Sequence, residues 1–265
     1  MDFNNLPETG FTEEIEHNTR EYFSKITSNV DIFVERFREI PNGLIKDEKY
    51  MEAFVLEYVG LNKESLGELA HELEKYFGTG LYIWQNPKQF TKYILWLLKN
   101  AGNYKSYLEI GSRWGGTFIV TCEVLRRACA DFKHAVAVDL IGKTPFIERY
   151  EKIARESGIE ISYYMGSSTS YEFYKIVNKM KPDISLIDGD HSIRGALKDH
   201  MLIRQFSNIV VHHDVSSDTC PDSTLLWNSL KQLESGMNYT EFTEQYPSLP
   251  GRYFGIGVLS KCAVR

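Results

Sequence analysis

A chain of 265 residues with 43% hydrophobic and 25% charged residues carries enough apolar material for a full α/β core, which excludes intrinsic disorder and favours one catalytic-sized domain with an appendage. A formal net charge of -6 lacks the basic field that a nucleic-acid binder uses, and no apolar run reaches membrane-spanning length, so neither nucleic acid nor a membrane is expected as a partner. The four cysteines, Cys122, Cys129, Cys220 and Cys262, have no Cys-x-x-Cys spacing and residues 1–5 lack signal-peptide character; the reading is a soluble, cytoplasmic protein with reduced thiols.

Up to about Gly80 the chain has helical spacing without strand alternation, as in Ile26, Val30, Phe33, Val34 and Phe37, and again in Leu66, Leu69, Leu73 and Phe77. Pro41-Asn42-Gly43 and Gly78-Thr79-Gly80 punctuate it. Residues 1–80 are therefore expected to form a helical cap, lid or oligomerisation region, and residues 81–265 the main domain. Asn86 suits an N-cap and Pro87 a first helical position, opening a helix that ends near Asn100-Ala101-Gly102.

From Tyr107 the chain alternates. Tyr107 to Ile110 reads as a strand, Gly111 to Gly116 as a tight turn, and Phe118, Ile119, Val120, Val124 and Leu125 as the helix behind it. Strands follow at 135–139, 159–165, 184–187 and 209–211, with helices at 146–157, 170–180, 193–206 and 223–233 between or after them. Such alternation makes a parallel sheet with right-handed crossovers. The tail differs: 239–242 and 254–259 read as strands with no helix between them, an antiparallel pair at the sheet edge.

The glycine turn discriminates between ligands. A dinucleotide fingerprint needs Gly-x-Gly-x-x-Gly, whereas this chain has Gly111-x-x-x-Gly115-Gly116 and no Lys-Ser/Thr of a P-loop. Glu109, just ahead of Gly111, would repel a pyrophosphate but hold an ammonium group, which S-adenosylmethionine has. Asp139, ending the next strand, can accept the ribose hydroxyls of an adenosine, and the Gly166-Ser167-Ser168 turn would lie near the adenine. Asp188-Gly189-Asp190-His191 and His213-Asp214 follow the next strands at the same edge, where carboxylates and a histidine could hold a hard or borderline divalent cation. Asp190 also suits a helix cap, and His212 an ordinary strand end.

Leu108 to Thr117, Ala137-Val138-Asp139, Leu186 to Ser192 and Val210 to Val215 together resemble class I S-adenosylmethionine-dependent methyltransferases, and more narrowly the metal-dependent branch of catechol-type and macrolide-sugar O-methyltransferases. The resemblance implies a Rossmann-like α/β fold with a seven-stranded sheet, here with a helical amino-terminal extension. It implies that Glu109, Gly111, Ser112, Arg113, Gly115, Thr117, Asp139, Ser167 and Asp188 hold S-adenosylmethionine. Asp188 and Asp214, with His213 in place of the usual acid, would hold a divalent metal, Mg²⁺ first, and His191 would be the general base, with Asp188 also in a catalytic role. The implied reaction is methyl transfer to a hydroxyl of a small molecule, a sugar or natural-product alcohol. Trp84, Gln85, Arg113, Trp114, Arg252 and Tyr253 are candidate pocket walls. The competing readings are an NAD-dependent oxidoreductase with a degenerate fingerprint and a non-catalytic binding protein of the same fold; the amino-terminal helices are the expected route to any homo-oligomer.

Overall fold

The computed structural model describes residues 20–63, 65, 71–100, 102–234 and 236–261. Residues 1–5, Leu66, Leu69, Ala101 and Cys262, named above, lie outside the described residues.

The strands are β1 (Ser106–Ile110), β2 (His134–Asp139), β3 (Glu160–Met165), β4 (Ile184–Ile187), β5 (Ile209–His213), β6 (Met237–Phe242) and β7 (Ile256–Lys261). They form a 7-stranded sheet in the order β3-β2-β1-β4-β5-β7-β6, the expected Rossmann-like α/β architecture. β1 to β5 pair in parallel, and β7 runs antiparallel to both β5 and β6. The helix-free tail is thus an antiparallel pair, with β7 inserted between β5 and β6. The order reverses between β1 and β4, which opens a crevice at their carboxyl ends.

Helices α1 (Ser28–Glu39), α2 (Glu48–Phe54), α3 (Pro87–Asn100), α4 (Gly116–Ala128), α5 (Pro145–Glu156), α6 (Tyr171–Met180), α7 (Ile193–Ile203) and α8 (Pro221–Leu233) surround the sheet. Their starts are chemically specified. Thr144, Ser170 and Ser192 accept amide hydrogens of Ile147, Phe173 and Gly195 through their side chains, each satisfying a donor that the first helical turn leaves unpaired. Asn86 does the same for Lys88 ahead of Pro87. No helix among the described residues is long and apolar enough to cross a membrane.

Strand alternation assigns the side chains to faces. Tyr107, Ala135, Ala137, Ile184, Leu186, Ile209 and Val211 join a core that includes Val30, Phe33, Phe37, Phe90, Phe118 and Phe146. Leu108, Ile110, Val136, Val138, Ile187 and Val210 join the opposite one, with Phe173, Ile203 and Trp227. Continuing the first parity to the strand ends brings Glu109, Asp139, Asp188 and His213 to the face that the amino-terminal helices cover.

That cover is tied down by charge as well as by packing. Glu123 on α4 is fully buried and accepts Arg38 of α1 through two bonds of 2.9 and 2.8 Å, Arg126 at 2.8 Å and Tyr150 of α5 at 3.1 Å. Arg149 of α5 reaches Asp31 of α1 at 3.0 Å. One departure from the helical expectation lies between α2 and α3. Leu61 forms isolated parallel bridges to Phe77 and Ile83, its amide bonding the Tyr76 carbonyl at 3.0 Å and its carbonyl accepting Gly78 at 2.7 Å. Leu61 is fully buried, so its backbone groups need protein partners, and short strand pairing supplies them.

Candidate active site

β1 delivers Glu109 into the apolar layer, where it is 1% exposed and accepts the hydroxyl of Tyr107. Burial, reinforced by the charges of Asp188 and Asp139 and partly offset by Tyr107 and His213, pushes its carboxyl up to about 8.

The glycine turn follows at once. Gly111 has φ +85°, and Gly115 φ +93° as it caps α4, conformations that a side chain would strain. The amides of Gly111 and Ser112 bond the Val138 carbonyl at 2.9 and 3.1 Å, which lashes the turn to β2. Asp139 completes the lashing: its carboxylate accepts the amides of Arg113 at 2.6 Å and Ile141 at 3.2 Å while staying partly exposed. Arg113 itself has φ +43° and lays its guanidinium 4.7 Å from the Trp84 ring centre and 5.5 Å from that of Trp114. Thr117 lies half-buried in the first turn of α4. Ser167 is exposed in the turn after β3, where it engages Thr169; the neighbouring Gly166 amide bonds the Asp139 carbonyl at 2.8 Å.

Across the crevice the loops after β4 and β5 bring acids and imidazoles together. His213 Nδ1 lies 3.0 Å from Asp188 Oδ1 and 3.5 Å from Asp214 Oδ2. His191 Nε2 lies 3.3 Å from Asp188 Oδ1 and 3.7 Å from Asp214 Oδ2, and its Nδ1 is 3.2 Å from Cys220 Sγ. Burial opposes ionisation of Asp188 and Asp214, but the imidazoles beside them outweigh it and hold both carboxyls below the usual range. The hydrogen bond to Asp188, with Cys220 and Asp214 adding to it, raises His191 to about 11. Burial works against protonation of His213, yet Asp188 and Asp214 drive it well above the ordinary value. Carboxylates and imidazoles here each favour the charged form of the other.

This donor set suits a divalent metal. The ligand atoms of Asp188, His213 and Asp214 lie within 4.8 Å of one another, and so do those of His191, Asp214 and Cys220. The helix cap after β4 is Ser192, not Asp190 as the sequence suggested; the exposed Asp190 carboxylate accepts the amide of that cap residue at 2.9 Å and so braces the turn before it. His212 points to the opposite face, where it is buried and bonds His200 Nδ1 at 2.9 Å, with His200 in turn on Glu234 at 2.8 Å. Of the proposed pocket walls, Trp84, Arg113 and Trp114 come together, Gln85 is buried, and Arg252 is paired with Asp218 at 2.9 Å in the segment leading to Tyr253. Sequence reading missed Tyr107 and Cys220. The first is two residues before Glu109 and shares its face by strand parity; the second has no local signal.

No protein-family model matches the chain, and no curated protein matches it in sequence. Solved structures do match. The O-methyltransferase TomG from Streptomyces achromogenes, involved in tomaymycin synthesis and solved in complex with SAM, aligns over 82% of this chain and 99% of its own at 11% identity, with a TM-score of 0.51. The O-methyltransferase from Bacillus cereus in complex with SAH aligns over 92% of this chain and 97% of its own at 13% identity, with a TM-score of 0.48. At such identities the likeness is one of fold. The chain shares a Rossmann-like α/β fold with TomG.

Proposed function

We propose that this chain is an S-adenosylmethionine-dependent O-methyltransferase that methylates a hydroxyl of a small molecule, a sugar or natural-product alcohol, with help from a divalent cation and a histidine base. The observation that carries the reading is the meeting, on one sheet face, of a buried carboxylate beside a glycine turn with the cluster of Asp188, His191, His213 and Asp214.

Glu109 would receive the ammonium of the cofactor and Asp139 its ribose hydroxyls, with Gly111, Ser112, Arg113, Gly115 and Thr117 shaping the turn and Ser167 the adenine end. When bound, S-adenosylmethionine supplies a methyl group on a sulfonium, ready for in-line displacement by an oxygen. The acceptor hydroxyl is a weak nucleophile until it loses a proton, and His191 would take that proton. It is a base only when neutral. Charge compensation of Asp188 and Asp214 would favour that form, because the hydrogen bond to Asp188 leads the interactions that hold its proton, with Cys220 and the charges of both carboxylates adding to it. A divalent cation on Asp188, His213 and Asp214 would provide the compensation and lower the pKa of a bound hydroxyl. Alignment of acceptor and cofactor would supply much of the remaining acceleration. We assign residues 1–80 the role of a helical cap, lid or oligomerisation region and residues 81–265 that of the methyl-transfer domain.

Calorimetry with S-adenosylhomocysteine tests the reading. Saturable 1:1 binding to the folded protein, with no binding of NAD, is the expected result. A folded protein that binds neither, or NAD alone, overturns it.

A further inference from the structure

The inference here rests on the reading of Glu109 as acceptor of the cofactor's ammonium group, and it concerns the residue that holds Glu109 ready. Tyr107 and Glu109 are two positions apart on β1, so strand alternation sends both side chains to one face. Both are buried, and the Tyr107 hydroxyl donates to Glu109 Oε2. Among the described residues no second donor bonds the carboxyl, which leaves Oε1 for a ligand.

The Tyr107 ring is not free to leave this bond. It is fully buried and stacks on Phe118 of α4, with ring centres 5.8 Å apart and 24° between the planes. Phe118 lies in the first turns of the helix that Gly115 caps, so the bond is anchored to the same unit as the glycine turn. Other titratable groups surround Glu109: Tyr93 on α3, Cys122 on α4, Asp139 ending β2, Asp188 after β4 and His213 on β5. Burial is the largest influence against its ionisation; the two acids add to that and His213 opposes it, all through charge, whereas Tyr107 alone acts through a bond. A hydroxyl on one oxygen of a buried carboxylate stabilises the anion and fixes the plane of the group.

We propose that Tyr107 is a positioning residue for the cofactor: by bonding Oε2 it keeps Glu109 as an oriented carboxylate whose Oε1 receives the ammonium group.

The test is calorimetry of S-adenosylhomocysteine binding by the full chain, wild type and Tyr107→Phe, in buffers of different ionisation enthalpy, so that affinity and proton release are read together. Because the Glu109 carboxyl sits at about 8, wild type should release about half a proton per ligand bound at pH 8. The substitution keeps the ring and removes the donor, which moves the carboxyl higher. Release at pH 8 should then approach one proton, and affinity at pH 7 should fall roughly 10- to 100-fold, the worth of a buried hydrogen bond to a charged group. A purely structural part for Tyr107 would weaken binding with no change in proton release; that result, or an unchanged affinity, overturns the proposal. If Tyr107→Phe misfolds, tyrosine ultraviolet difference spectra of wild type and E109Q between pH 6 and pH 8 decide the matter. A buried-tyrosine shift in wild type that E109Q lacks supports the bond, and identical spectra overturn it. Folded wild type that binds no S-adenosylhomocysteine overturns the cofactor reading and this inference with it, whereas binding with unaltered proton release in Tyr107→Phe overturns only the part given to Tyr107.

Discussion

Gly111 and Asp188 touch backbone to backbone: a methyl group on the Gly111 α-carbon would lie 1.9 Å from the Asp188 carbonyl oxygen. The glycine turn therefore does more than let a ligand approach. It seats the carboxyl end of β1 directly on the loop that carries Asp188 and His191, so the two halves of the proposed site share one mechanical joint. Gly111→Ala would combine this overlap with an unfavourable φ of +85°, at a cost of about 2–5 kcal/mol. A fall in thermal midpoint together with loss of S-adenosylhomocysteine binding is expected; an unchanged midpoint would mean that the joint yields freely.

If Glu109 receives the cofactor ammonium as proposed, cofactor binding should depend on pH. Its carboxyl sits at about 8 in the unliganded fold, so at pH 7 an incoming ammonium ion must displace a proton. S-adenosylhomocysteine affinity of the wild type should rise by up to about tenfold per pH unit below that value and level off above it. Calorimetry in buffers of different ionisation enthalpy should register the released proton. E109Q should bind more weakly and lose this pH dependence.

The same residue has a signature in stability. Its folded-state value lies above the unfolded one of about 4.3, so the native state binds the extra proton and wild-type stability falls as pH rises from about 4.3 to 8. E109Q lacks that slope and should gain on wild type across this window. Denaturant midpoints at pH 5 and pH 9 compare the two.

His191→Ala should lower methyl transfer by about 10²- to 10⁴-fold, the contribution of a positioned base. S-adenosylhomocysteine affinity should change only a few-fold, because, of the residues expected to hold the cofactor, His191 bonds only Asp188, which keeps its bond to His213. Equal loss of binding would instead make His191 part of the cofactor pocket.

Glu123 should be a stability residue with no share in chemistry. It is fully buried among Arg38, Arg126 and Tyr150, and Glu123→Gln would leave two partly buried guanidiniums without their counter-charge. A loss of about 2–4 kcal/mol in urea unfolding is expected. Because Arg38 belongs to α1, Arg38→Ala should loosen the amino-terminal cover, read by faster amide exchange in α1.

Much of this molecule is readable along the chain because strands and helices have periods that depend only on local geometry. Tyr107 and Glu109, Ala137 and Asp139, Leu186 and Asp188, Val211 and His213 each alternate with residues of the opposite core, and that parity alone sends the four polar strand-end residues to one face. The same rule separates His213 from His212, which chain position alone leaves side by side. The glycine spacing and the helix caps are equally local.

Cys220 was not legible, since its neighbour His191 is 29 positions away and the two meet only where the loops after β4 and β5 fold over one edge. Nor did the pattern before α3 foretell that Leu61 would bridge Phe77 and Ile83, for buried backbone takes whatever partner tertiary packing offers. The sequence by itself determined the order of elements, the sheet face of each acid and the shape of the glycine turn, all consequences of local dihedral preference and side-chain alternation. Only the tertiary structure decided the protonation states and the company of those groups: burial raised Glu109, two carboxylates charged His191 and His213, and a distant thiol joined them, because electrostatic energy depends on distance and solvent in space and not on separation along the chain.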